Sequence, residues 1–473
     1  KEFVEEINEK IALAISAGKS GVLDIINFIS KFEIKDKSGD FIGARMGRPE
    51  KTKLRKLTGS PNVLFPVGKE GGRLRSVQEA CEVGSVKSSF PIYYCGKCNK
   101  ETIYSICEVC ETKCRKMFYC PDCQIKSFRI CEEHKNAQSH IFWDLDIPHF
   151  FESAMKRINF TRIEIPLLIK GIRGTSSDSH ITERLEKGFL RAAFNLQVNK
   201  DGTIRIDATE LPLVAFKPNE VSVSIEKLRE LGYNKDIDGK ELVDKEQILE
   251  LMPHDIILPC SSESQEEKAD DVLIRTANFV DAELERFYRI KPIYNIKSRE
   301  DLIGQLGVCM SPHNCAGVIC RFIGFSNILG VFASPYMHAA IRRDCDGDEA
   351  SIMLLGDVLL NFSRNFLPSH RGGTQDAPLV LNAKIDAGEV DDQILDFEMT
   401  REYPLELYRL AEQGKHSSEV KIKNVREALN KGENPFVNIG FTHNTADFNK
   451  GVLCSNYKSL ATMQEKVQHQ MEL

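Results

Sequence analysis

The feature that most restricts how this chain can fold is a run of eight metal-ligand residues between positions 95 and 134. Cys95-x2-Cys98-x8-Cys107-x2-Cys110 is followed directly by Cys120-x2-Cys123-x7-Cys131-x2-His134. Paired C-x2-C knuckles turn two thiolates inward, and four such ligands at about 2.3 Å close a tetrahedral zinc site with no position left for substrate. Residues 91–140 are therefore expected to form two structural zinc modules. A disulfide framework is the competing reading, disfavoured by the knuckle spacing and by the leftover Cys114. Cys81, Cys260, Cys309, Cys315, Cys320, Cys345 and Cys454 are scattered and read as free, mostly packed thiols.

The second strong signal is Asp344-Cys345-Asp346-Gly347-Asp348-Glu349. Carboxylates this close repel one another unless a cation or proton intervenes, and oxygen ligands select Mg2+ or Ca2+. Apolar runs flank the cluster, VFASPYMHAAIRR before it and SIMLLGDVLLNF after it. The acids are thus expected on a tight loop between buried elements, with Gly347 letting the backbone turn. An EF-hand loop starting at Asp344 is excluded, because its sixth and twelfth places hold Glu349 and Leu355 rather than Gly and Glu. A solvated acidic turn is the competing reading of the motif taken alone. The AGKSG string at 17–21 is not a phosphate loop, since Leu13 stands where that motif needs glycine.

The context of the acids decides between these readings. RRDCDGDEASIMLLGDVLLNFSRNFLP followed by HRGGTQDAPLVL resembles the catalytic region of the large subunit of archaeal family D DNA polymerase. The likeness extends to GARMGRPEKTKLRKLTGSPNVLFPVG, LEKGFLRAAFNLQVNKDGTIRIDATELPL and REDLIGQLGVCMSPHNCAGVICRFIGFS. The resemblance implies an α+β, RNA-polymerase-like core of two double-psi β-barrels, with zinc modules and a KH-like accessory domain. It implies DNA-templated nucleotidyl transfer with two Mg2+ ions, on primer–template DNA with dNTPs, in archaeal replication. It also implies a phosphodiesterase-like small subunit with 3′–5′ exonuclease activity, and a sliding clamp bound by the full-length protein. Asp346 and Asp348 are the expected metal ligands. Asp344 is the third, at a place where the family's pattern carries asparagine.

Under this resemblance 1–90 is part of the first barrel, 91–140 the zinc modules, and 141–215 a β-rich connector. Residues 216–300 are the accessory domain, 301–400 the catalytic barrel, and 401–473 a helical segment. The chain reads as an internal fragment, starting at Lys1 and stopping within a helical pattern. Periodicity places helices at 2–16, where Phe3, Val4, Ile7, Ile11 and Ile15 share a face, and at SIEKLRELG, DKEQILELM and DVLIRTANFVDAELERFY. Alternation at Phe194, Leu196 and Val198, a turn at Asp201-Gly202, and alternation again at Ile204 and Ile206 predict a hairpin. No run of eighteen apolar residues and no signal-peptide layout occurs, so the expected location is cytoplasmic.

The net charge of −6 argues weakly against nucleic acid, but it hides local asymmetry. Arg45, Arg48, Lys51, Lys53, Arg55 and Lys56 crowd one stretch, with Arg73 and Arg75 after it. The family places this block on the first barrel, with lysine reaching the active centre, which makes Lys51 the first candidate for a triphosphate contact and Lys53 the second. Arg45, Arg48, Arg73, Arg75, Lys170, Arg173, Arg342, Arg343 and Arg371 are the candidate DNA contacts. A solvated loop competes with the functional reading of the basic stretch, and a structural loop with that of Lys170, Arg173, Arg342, Arg343 and Arg371. His313 and His338 are read as packed histidines. An RNA-polymerase relative and a non-catalytic zinc-bearing scaffold are the alternative functions; the first would carry NADFDGD, with an aromatic residue where this chain has Cys345.

Overall fold

The computed structural model describes residues 2–34, 51–161, 163–175, 180–262, 266–370, 372–439, 447–450 and 462–472. Arg45, Arg48, Arg371 and Cys454 lie outside the described residues. The chain divides into two compact units, residues 1–47 with 403–421, and residues 48–402 with 422–473. In the first, helix α1 (Glu2–Ser16) packs on α2 (Val22–Ile29) across a turn in which Gly18 takes φ +82°. Ile7, Ile11 and Ala14 face inward in α1, whereas Ile15 is exposed, so the expected stripe is shorter than its spacing suggested. A further helix, Leu405–Glu412, belongs to this unit, and the expected 401–473 segment is therefore shared between the two.

The second unit is organised around an eight-stranded mixed sheet. Its strands are β1 (Thr52–Leu54), β2 (Ile206–Pro212), β3 (Asp255–Pro259), β4 (Leu306–Met310), β5 (Ala316–Ser326), β6 (Gly330–Ala333), β7 (Glu349–Leu354) and β8 (Val380–Asn382). Six of them close into a ring in the order β2-β6-β3-β5-β4-β7, because β2 pairs with both β6 and β7. Two pairs in the ring, β3 with β5 and β2 with β6, are parallel, and the others are antiparallel. Closure leaves the six strands without a free edge, and alternate residues fill the interior. Ile206, Ala208, Leu258, Phe322, Val331, Ala350 and Ile352 are buried in the main core. Among the described residues the sheet closes into one ring, where the expectation was of two barrels.

This ring also redraws the expected boundaries. β2 and β3 lie upstream of residue 301, so cuts at 215/216 and 300/301 run through the barrel. Between them, Ala215–Phe216 pairs with Leu249–Glu250, and a short helix, Ile225–Glu230, lies beside them over a smaller core of Phe216, Val221, Leu228, Tyr233 and Leu249. The helix expected at DKEQILELM is thus the second of these strands. Gln247 accepts hydrogen bonds from the backbone of Val243 and Asp244 to make a turn, and Leu249 and Leu251 alternate inward after it. Helix α7 (Ala269–Ala282) buries Val272, Phe279 and Val280 in the barrel's own core rather than in a separate domain. The predicted hairpin keeps its turn but loses its first arm. Residues 185–193 are helical, and the Leu196 and Val198 amides bond to the Arg191 and Pro61 carbonyls instead of to a strand.

Between β1 and β2 the long antiparallel pair Ser85–Pro91 and His140–Asp146 carries the cysteine modules beyond its far end. Tyr93–Cys95, Lys100–Thr102 and Arg115–Lys116 form one small sheet, and Phe118–Cys120 pairs with Ile125–Ser127 in another. Each knuckle ends the same way. The residue after its second ligand, Asn99, Glu111, Gln124 or Lys135, is left-handed at φ +50°, +58°, +58° and +49°. That turn points backbone N–H groups back at sulfur, as Cys98 N–H does to Cys95 Sγ at 3.4 Å.

One buried acid makes a testable statement about stability. Asp357, in the helix Leu355–Asn361 that follows β7, is fully buried and accepts from Ile204 N–H at 2.7 Å and Asn361 Nδ2 at 3.0 Å. Burial pushes its carboxyl up to about 7, while Arg191 pulls the other way. A folded-state pKa above the unfolded value near 3.9 gives stability that is complete below that value and lost as pH rises through about 7. Between pH 5.5 and 8.5 this one group accounts for about 2 kcal/mol. Melting temperatures at the two pH values are expected to differ less in Asp357→Asn than in the parent; an equal difference would overturn the assignment.

Candidate active site

The acidic run occupies the loop between helix α8 (Pro335–Ala340) and β7, between buried elements as its flanks predict. Ser334 caps α8 by accepting from Tyr336 N–H, and Pro335 follows it, a pairing that starts a helix where the amides lack partners. The chain then reverses through three left-handed residues, Arg342 (φ +63°), Cys345 (φ +59°) and Gly347 (φ +89°). Gly347 meets this conformation without steric cost, whereas Cys345 adopts it despite its side chain. The result brings Asp346 and Asp348 to the same place. Asp344 is not there: it is exposed, and its carboxylate accepts from Gln393 Nε2 at 3.5 Å.

The third acid at this place is Glu210, from β2. Ligand oxygens of Glu210, Asp346 and Asp348 all lie within 4.8 Å of one another. Strand and loop are tied by Glu210 N–H donating to the Asp348 carbonyl at 2.9 Å. Glu210 is fully buried; His338 Nδ1 of α8 lies 2.8 Å from its Oε2, and its Oε1 has no hydrogen-bond partner. Three carboxylates this close, one with a buried and unmatched oxygen, are the donor set of a hard divalent cation. The residues present therefore fit the metal that the motif implies.

Beside this cluster runs a charged strip. Lys51, just before β1, donates its backbone N–H to Thr209 Oγ1 of β2 and accepts from the Thr209 N–H, and its ammonium pairs with Glu349, the residue after Asp348. Lys53 reaches the same carboxylate at 3.6 Å, and Arg55 lies 3.4 Å from Asp207. Burial pushes the Glu349 carboxyl up, but the Lys51 hydrogen bond and charge, with Lys53 and Arg55, outweigh it and hold the pKa below the usual range. Lys51 and the acidic loop, expected on different barrels, are instead joined through one sheet, β1 to β2 to β7.

The other candidates fall in different places. Arg343 joins the cluster, its Nε 3.8 Å from Asp348 Oδ2, with Nη2 donating to the Pro312 carbonyl. Arg342 turns away and donates to the Glu389 carbonyl at 2.9 Å. Arg75 donates to Thr58 O and Arg173 to Gly68 O, while Lys170 bridges Ser76, so these three help to hold neighbouring loops. Arg73 is exposed. His313 is exposed rather than packed, whereas His338 is buried as expected.

The cysteine groups have donor geometry of their own. Cys95 and Cys110 sulfurs are 3.4 Å apart and Cys98 and Cys107 3.8 Å; Cys120 lies 3.6 Å from His134 Nδ1 and Cys123 3.9 Å from Cys131. A tetrahedron with metal–sulfur bonds of about 2.3 Å has edges of about 3.8 Å. Both sets could hold a zinc ion. Cys114 stays outside them, buried against Cys95 and Cys107.

Residues 163–466 match the family model described as DNA polymerase II large subunit DP2, catalytic domain. The chain belongs to the DNA polymerase II large-subunit family. Residues 3–128 match the model of the DP2 central domain, so the two family models flank residues 129–162, where Cys131 and His134 fall. The chain is similar to the DNA polymerase II large subunits of Archaeoglobus fulgidus (43% identical over 99% of this chain and 41% of that protein) and Nanoarchaeum equitans (42%, over 95% and 40%). The Pyrococcus furiosus large subunit is 41% identical over 96% of this chain and 36% of its own length. The chain thus spans about two fifths of the large subunits it matches. Among the described residues no helix is long and apolar enough to cross a membrane.

Proposed function

We propose that this chain carries the nucleotidyl-transfer centre of a DNA-templated DNA polymerase acting in archaeal replication. The observation that carries this reading is the convergence of Asp346 and Asp348 on one cation-type cluster at the β2–β7 seam, with Lys51 and Arg343 beside it. Two Mg2+ ions, when bound, would supply activation of the primer 3′-hydroxyl and neutralisation of the pyrophosphate leaving group. Asp346 and Asp348 would hold them, and Arg343 would fix the Asp348 carboxylate. Lys51, already beside Glu349, is placed to exchange that partner for triphosphate oxygens, a role suited to a mobile point charge. Six-strand closure with two parallel pairs supports a double-psi reading of the barrel, and zinc is the metal we assign to the cysteine modules. In this reading a phosphodiesterase-like small subunit supplies 3′–5′ exonuclease activity, and the full-length protein engages a sliding clamp.

The test is single-nucleotide incorporation on a primer–template by the full-length large subunit with its small partner. Incorporation of dNTPs in strong preference to rNTPs is expected; the reverse preference would favour the RNA-polymerase alternative, and none with either would overturn the proposal. In the same complex Lys51→Ala is expected to slow single-turnover incorporation about a hundredfold, as does removal of one preorganised donor to a charged transition state, with primer binding kept. A parent-like rate would remove Lys51 from the centre.

A further inference from the structure

Glu210 has no counterpart in the acidic motif, and its surroundings are those of a ligand rather than of a structural acid. A structural carboxylate in a barrel interior has both oxygens matched, because an unmatched buried oxygen costs the full desolvation of that atom. Glu210 has one matched oxygen, on His338, and one with no partner, and its ligand atom falls within 4.8 Å of those of Asp346 and Asp348. His338 is itself 1% exposed and fixed at the fourth position of α8, whose end opens the acidic loop. A single hydrogen bond from a rigid helix therefore sets where the other carboxylate oxygen points.

We infer that Glu210 is a third carboxylate ligand of the divalent cation at the Asp346–Asp348 site, and that His338 is the positioning residue that holds it in ligating pose. The inference rests on the polymerase reading of that site. Partners that orient metal ligands alter affinity by about 10–100-fold when removed. His338 is read here as a donor to the carboxylate through Nδ1, and asparagine can present its amide nitrogen near that atom whereas leucine cannot.

The experiment measures Mn2+ binding to the full-length large subunit by electron paramagnetic resonance of the free ion, alongside the Mg2+ midpoint of nucleotide incorporation in the assembled complex. Glu210→Gln and His338→Leu are expected to weaken Mn2+ binding at this site at least tenfold and to raise the Mg2+ midpoint. His338→Asn restores most of both. Glu210→Asp, which keeps the charge but shortens the reach, covers the case in which glutamine disturbs folding, and it too is expected to bind Mn2+ more weakly. Parent-like Mn2+ affinity in a folded Glu210 variant, with Asp346→Asn losing the ion, would overturn this inference and leave the polymerase reading intact. If Asp346→Asn and Asp348→Asn also bind Mn2+ as the parent does, the polymerase reading of the site fails and this inference with it. His338→Leu and His338→Asn behaving alike would remove the positioning role.

Discussion

Replacing Asp346 or Asp348 with asparagine is expected to cut nucleotide incorporation about a thousandfold, equivalent to about 4 kcal/mol of transition-state stabilisation, while DNA affinity changes little. The size follows from charge. Asparagine keeps the shape of the side chain but removes the anion that a cation clamp on developing phosphate charge requires. Asp344→Asn is expected to be far milder, because that carboxylate is exposed and turned to Gln393 rather than to Glu210. Rapid-quench incorporation with a parallel primer–template binding isotherm separates the two effects. Near-parent rates in both Asp346→Asn and Asp348→Asn would refute the assignment of the centre.

The largest effect on stability is expected from the cysteine modules. Structural zinc contributes about 10–16 kcal/mol in isolated finger peptides, and here three strands of two or three residues lie around the first set of ligands and two of three residues around the second. Cys98→Ser or Cys123→Ser is expected to unfold its own module locally, seen as rapid amide exchange and new proteolytic cleavage within 92–139. The pair Ser85–Pro91 and His140–Asp146, which buries Val86, Phe90 and Leu145 in the main core, is expected to stay protected. Elemental analysis should find two zinc ions per chain. None would overturn the assignment, and so would full amide protection of the module in the serine variants.

What the sequence revealed is what it encodes locally. The knuckles were legible because spacing alone fixes which thiolates converge, and the acidic loop because its glycine and apolar flanks specify a turn between buried elements. Glu210 was not legible. It stands in RIDATELP, in a strand where an acid looks like any surface residue, and only pairing with β7 reveals that it is buried beside Asp348. Its faint signal is an acid at the fifth place of a strand in which every preceding residue, 206 to 209, is buried. The barrel itself was misdivided because periodicity reports strands and not their partners; β3 looks like part of an accessory domain until its parallel pairing with β5 is seen. The lost helix at 244–252 and the missing hairpin arm have one cause, tertiary pairing overriding a local pattern.

The seam on which β2 sits also governs the order of folding. β2, residues 206–212, has β7 on one flank and β1 followed by β6 on the other, and β6 and β7 come after it in the chain, beyond the intervening residues 213–329. During synthesis it leaves the ribosome with only β1 already made to pair with it, and its other edge waits until β7 has been made, an interval in which long-range loop closure must be overcome and an unpaired strand edge is exposed to wrong partners. The cysteine modules face no such delay, since their ligands all lie within 95–134. A growing chain can therefore bring the cysteine ligands of its arm together long before the carboxylates of the barrel meet, because Glu210 must wait for Asp346 and Asp348 to be made.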